Sequence, residues 1–141
     1  MPRPPRFNPC IVVPVYNHEH AIGAVLAGLL RHDVPCMLVD DGSSAECAAV
    51  LDALALAHPD RVTLVRLSTN QGKGAAVLSG FRRAAALGFS HVLQIDADGQ
   101  HRTDDVPKFL AQARAHPEAI IAGHPVYDLS LIHISEPTRP Y

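Results

Sequence analysis

The sequence predicts an α/β fold, a mostly parallel sheet with helices on both faces, and three observations carry that prediction. Short apolar runs alternate with longer amphipathic stretches along the 141-residue chain. The short runs are apolar at nearly every position, as strands covered on both faces must be. Most of them end in Asp, Asn, Gly or Ser, so polar residues gather where strands stop.

Residues 10–15 form the first run, rich in β-branched residues and interrupted by Pro14. Proline has no N–H for a ladder, so Pro14 marks the last hydrogen-bonding positions of this strand. Residues 18–31 then place Ala21, Ile22, Val25, Leu26, Leu29 and Leu30 at helical spacing. A second strand at 36–39 is closed by Asp40, Asp41, Gly42 and Ser43. The helix that follows carries Val50, Leu51 and Leu54 on its inner face, with Ser43 or Ser44 as its N-cap.

The third strand is residues 62–67, and the loop 68–74 leads into a helix carrying Val77, Leu78, Phe81 and Leu87. Residues 91–95 make the fourth strand, ending at Asp96, Ala97 and Asp98. A helix over 104–115, with Val106, Phe109 and Leu110 apolar, and a fifth strand at 119–122 complete the pattern. Right-handed parallel connections point the strands' carboxyl ends to one edge. That edge collects Asn17, Asp40, Asp41, Asn70, Asp96 and Asp98, and ligands of open α/β sheets bind there.

Composition narrows the function. The chain is 48% hydrophobic and 18% charged with a formal net charge of −2, and no basic stripe argues for nucleic acid. No apolar run reaches the roughly 18 residues that span a bilayer. Residues 1–8 read as a basic leader without an apolar signal core, so the cytoplasm is expected. Cys10, Cys36 and Cys47 lie in apolar segments without CxxC spacing and are expected to be reduced core thiols.

Asp96 and Asp98 carry the clearest chemistry. Two carboxylates one residue apart, where a strand leaves the sheet, offer hard oxygens to Mg²⁺ or Mn²⁺ beside phosphate. The competing structural role is an acidic loop capping the next helix. Asp41 is placed to accept a hydrogen bond from a base N–H, or to form a strand-end turn. Tyr16 offers an aromatic face and Asn17 a polar handle. Asn70 to Gly74 is glycine-rich and precedes a helix, which suits an anion, but it is neither a Walker A loop nor GxGxxG. Lys73 in that loop is either a solvated lysine or a phosphate neighbour. Among nine histidines no pair has metal spacing; His18 and His20 point different ways, and His101 follows the acidic loop.

Together VPVYN at 13–17, VDDGS at 39–43, NQGKG at 70–74 and IDADGQH at 95–101 resemble glycosyltransferase family 2, enzymes of the Rossmann-like GT-A fold. Their order and spacing match across roughly residues 9–128. DADGQH, with GHPVYD at 123–128, is most similar to the polyprenyl-phosphate sugar synthases of that family. The resemblance implies that Pro14, Tyr16, Val39 and Asp41 border the base, with Asn17, His18 and Lys73 in the nucleotide site. Asp96, Ala97 and Asp98 would surround the metal–diphosphate, Mg²⁺ or Mn²⁺ being held by Asp96 and Asp98, with Gln100 near the metal or sugar. Position 18 is often Glu in these synthases and is His18 here. The implied reaction moves a sugar from a nucleoside-diphosphate sugar to polyprenyl phosphate or another lipid or glycan acceptor. The full-length protein would meet the membrane surface at its cytoplasmic face, in cell-envelope synthesis. The family's base comes from the second half of the domain, so no catalytic residue is assigned.

Residues 129–141, LSLIHISEPTRPY, resemble translated sequencing-adapter read-through. The expectation is an incomplete donor-binding domain over 9–128 that binds nucleotide without turnover. IDADG also resembles the motif of aspartate-nucleophile phosphatases, but those enzymes carry it on the first strand, and Gly99-Gln100 departs from the pattern. A receiver-type signalling module would need an acidic pair like Asp40-Asp41 on its first strand as well.

Overall fold

The computed structural model describes residues 6–99 and 103–117 and the strand Val126–Asp128. Its elements run β1 (Pro9–Val15), α1 (Ile22–Leu29), β2 (Cys36–Asp41), α2 (Ala45–Ala57), β3 (Val62–Leu67), α3 (Lys73–Ala86), β4 (His91–Gln94), a 3₁₀ turn (Thr103–Asp105), α4 (Val106–Ala115) and β5 (Val126–Asp128). Gln100, His101, the expected strand at 119–122 and the tail from 129 lie outside the described residues.

The strands form one sheet in the order β3-β2-β1-β4-β5. The first four are parallel, as expected. β5 is antiparallel to β4, with Val126 opposite Leu93, and the sequence reading did not foresee it. β1 sits centrally, β2 on one side and β4 on the other, so the winding direction reverses between β1 and β4.

Period-two alternation sorts the core into two layers. Ile11, Val13 and Val15 of β1, with Cys36 and Leu38 of β2, meet Ile22, Leu26 and Leu29 of α1, Cys47 and Leu51 of α2, and Val106 and Ala113 of α4. Cys10, Val12, Met37, Val39 and Val92 face the other way, onto Ala76, Phe81 and Ala84 of α3. α3 lies close on the sheet: a Cβ on Gly80 would sit 2.6 Å from Val12 Cγ1 and 3.0 Å from Val39 Cγ2. All three cysteines are unpaired and buried.

Several boundaries differ from the periodicity, among them the start of α4, where the helix expected from 104 begins at Val106 after the 3₁₀ turn. α1 starts at Ile22 instead of 18, because the His18 carbonyl takes the N–H of Ala21 (3.1 Å) and Ile22 (3.0 Å) in a turn. β2 runs through Asp40 and Asp41, which were expected in a loop. Leu87 lies just past the end of α3 and is 47% exposed, so it leaves the apolar face predicted for it. Ser44 caps α2 as expected, its side chain accepting the Cys47 N–H at 3.3 Å.

Candidate functional site

The site begins where the central ladder opens. β1 pairs with β4 from Pro9–His91 to Val12–Gln94, and the Val12 carbonyl accepts the Ile95 N–H at 3.0 Å. Two residues on, Pro14 turns its backbone to the same side without an N–H to offer. The register therefore ends, leaving Tyr16 and Asn17 at one lip and Asp96 to Asp98 at the other. This is the reversal point of the sheet, where open α/β folds receive ligands.

Asn17 sits in the left-handed region at φ 58°, a conformation asparagine tolerates better than most residues. Its Oδ1 accepts the Ser44 N–H at 2.7 Å, while its own N–H donates to Ser43 Oγ at 3.0 Å. The expected polar handle is thus a clasp joining the end of β1 to the start of α2.

Asp40 and Asp41 point to opposite faces, because neighbours in a strand alternate. On the α2 side, Asp40 Oδ1 accepts the Ser43 N–H at 2.9 Å and Oδ2 accepts Arg66 Nε at 2.9 Å. Arg66 also donates to Asp52 Oδ1 (2.9 Å) and the Ala48 carbonyl (3.1 Å), tying β3 to α2. The hydrogen bond to Asp40 raises the Arg66 pKa, partial burial opposes that rise, and Asp52 adds to it.

On the α3 side, Asp41 accepts the N–H of Gln71 at 2.7 Å and of Gly72 at 3.0 Å, and Asn70 Nδ2 at 3.1 Å. It is 0% exposed. Gly42 has φ +67°, and a Cβ there would meet Asn70 N at 2.2 Å, so this loop closes only over glycine. Asp41, expected at the base, has its carboxylate fix the loop that begins α3. Val39, expected to border the base, is 0% exposed and part of the core beneath α3.

The acidic pair after β4 is arranged differently. Burial alternates, with Ile95 and Ala97 in the core, Asp96 half-buried and Asp98 exposed. Gly99 adopts φ +82°, the unusual turn expected after the pair. Oδ1 of Asp96 is sealed from solvent and faces Lys73 Nζ at 2.5 Å. Two hard oxygen donors at a strand end fit Mg²⁺ or Mn²⁺, and the lysine shows that cationic charge is already accommodated there.

Of the remaining expected residues, Pro14 is buried at the ladder's end, Tyr16 is 38% exposed and His18 is half-buried. The sequence reading left Lys73 between a solvated lysine and a phosphate neighbour, and the ion pair with Asp96 was not foreseen. It also missed a group formed by Glu19, His20 and Glu46, whose ligand atoms lie within 4.8 Å of one another. Glu46 comes from α2, and no spacing in the sequence links it to the other two.

A profile of glycosyl transferase family 2 matches residues 10–138, which carries the match past the boundary expected at 128. The chain is 33% identical to a polyprenol monophosphomannose synthase of Mycolicibacterium smegmatis, over 80% of this chain and 43% of the relative. It is 36% identical to an undecaprenyl-phosphate 4-deoxy-4-formamido-L-arabinose transferase of Pseudomonas fluorescens, over 73% of this chain and 31% of the relative. The chain thus spans less than half the length of these relatives. Among solved structures it is similar to a mannosyltransferase of Pyrobaculum calidifontis in complex with GDP-Man and Mn²⁺, with TM-score 0.58 and 27% identity over 64% of this chain and 27% of that one. Residues 1–349 of S. aureus TarS share the fold at TM-score 0.62 and 21% identity, over 78% of this chain and 33% of that one.

Proposed function

The chain belongs to glycosyl transferase family 2, and from that premise we propose that it is the donor-binding part of an enzyme that moves a sugar from a nucleoside diphosphate to a lipid-phosphate acceptor. The observation that carries the reading is the placement of Asp96 and Asp98 at the reversal point of the sheet. Tyr16 borders the same opening and offers an aromatic face to the base. Pro14, Asn17 and His18 line the β1 lip by backbone position. Ala97 holds the acidic loop to the core, so the carboxylates on either side of it are presented from a fixed backbone.

Asp96 and Asp98 would hold Mg²⁺ or Mn²⁺, which neutralises the charge growing on a departing diphosphate. Lys73, at the start of α3, places a second positive charge beside that leaving group. Support for a lipid-phosphate acceptor comes from the polyprenol and undecaprenyl-phosphate enzymes to which the chain is similar. In this reading the acceptor is a membrane lipid and the donor is water-soluble, so the whole enzyme works at a membrane surface, taken here as the cytoplasmic face of the inner membrane. Among the described residues no helix is long and apolar enough to cross a membrane.

Thermal unfolding tests the donor site. Mn²⁺ with GDP or UDP raises the melting temperature of this chain, and Asp98→Ala abolishes the rise. Absence of any nucleotide- and metal-dependent shift in the unsubstituted chain refutes the reading.

A further inference from the structure

We propose that Lys73 is the resident counter-ion of Asp96 and leaves it for the donor's diphosphate when a divalent metal binds, so that metal and nucleotide load cooperatively. The proposal rests on the donor-site reading above and adds to it a role for one side chain.

The position of Lys73 is unfavourable by helix standards. It is the first residue of α3, after the N-cap Gly72, and the first turn of the helix contains no acidic residue. The helix dipole repels a cation at that end. The compensating charge comes from another element, since Nζ lies 2.5 Å from Oδ1 of Asp96. Both side chains are substantially shielded, at 33% and 26% exposure, and that oxygen is closed to water.

The lysine is also delivered to this place by a built device. Asp41 holds Gln71 and Gly72 by their N–H groups, which fixes where α3 begins and therefore where residue 73 starts. β2 thus sets the helix start, and β4 supplies the partner.

The ammonium on Oδ1 and a divalent metal on the same carboxylate compete for one negative charge. A metal binding alone takes up that charge and leaves Lys73 facing a helix N-terminus without its compensating anion. A diphosphate arriving with the metal removes that cost, because its oxygens accept the displaced ammonium. Each ligand therefore strengthens the other, and beyond the direct attraction of metal and diphosphate a share of the coupling passes through Lys73.

Calorimetric titration of this chain with MnCl₂, alone and with saturating GDP or UDP, measures that coupling. In the unsubstituted chain the nucleotide tightens Mn²⁺ about tenfold or more, within the ordinary range for two coupled ligands. Lys73→Gln tightens Mn²⁺ binding in the absence of nucleotide, and the further gain from nucleotide shrinks by about threefold or more. Lys73→Arg restores the coupling. A lysine with a merely structural role moves both affinities downward together.

Unchanged or weaker binding of Mn²⁺ alone by Lys73→Gln, with the nucleotide gain intact, overturns the proposal. Should that variant not fold, a crystal structure of the unsubstituted chain with Mn²⁺ and the nucleotide decides. Nζ on a phosphate oxygen supports the proposal, and Nζ still on Asp96 overturns it. If the unsubstituted chain binds neither metal nor nucleotide, the donor-site reading fails and this inference falls with it. A failure confined to Lys73→Gln removes the inference alone.

Discussion

Asp40 and Asp41, at the end of β2, are 1% and 0% exposed, whereas after β4 Asp96 is half-buried and Asp98 exposed. In the sequence both are carboxylate pairs closing an apolar strand. The difference is their spacing and where the strand stops. Adjacent residues within a strand face opposite layers, so Asp40 and Asp41 are separated and each is consumed by the layer it enters. Asp96 and Asp98 flank Ala97, whose side chain enters the core, and they follow the end of the ladder. One pair is buried in the scaffold, and the other stands at the sheet's reversal point.

Removing partners breaks this contrast most severely on the β2 side. Arg66→Ala leaves Asp40 buried without its guanidinium and costs about 3 kcal/mol in urea unfolding. Replacing Asp40 by Asn in the same chain recovers part of the loss, because the stranded charge is gone. Asp41→Ala leaves the N–H groups of Gln71 and Gly72 without their acceptor and costs about 2 kcal/mol. It also weakens nucleotide binding, since the start of α3 is no longer fixed.

Sealed thiols extend the contrast to pH. Burial pushes Cys10 and Cys36 up to about 12, with Cys36 adding to the rise at Cys10 and Arg61 opposing it at Cys36. A raised folded-state pKa gives stability that is complete below the ordinary thiol value of 9.0 and is lost as pH climbs toward 12. Stability therefore falls between those limits by about 1.4 kcal/mol per pH unit for each thiol, as equilibrium unfolding at pH 8 to 11 measures. Substituting either cysteine by alanine flattens the slope. The smallest effect belongs to the open pair: Asp98→Ala changes stability by less than about 0.5 kcal/mol while removing the metal response.

Much of the scaffold was legible from one dimension. β3 coincides with its expected span, and β1, α2 and β4 differ only at their ends, because burial on two faces writes a continuous apolar run. The antiparallel pairing of β5 was not legible, since hydrophobicity carries no strand direction. Nor were the partners of Asp41 and Asp96, which lie on other elements.

By itself the sequence determined the α/β alternation, the parallel core, the family and the acidic strand ends, all of which follow from local pattern and motif. Only the tertiary structure decided which carboxylates are buried in the scaffold and which stand nearer the surface. That depends on which layer each side chain enters and on which charge arrives from elsewhere in the chain: Arg66 and the Gln71–Gly72 backbone satisfy one pair, while Lys73 reaches one oxygen of the other.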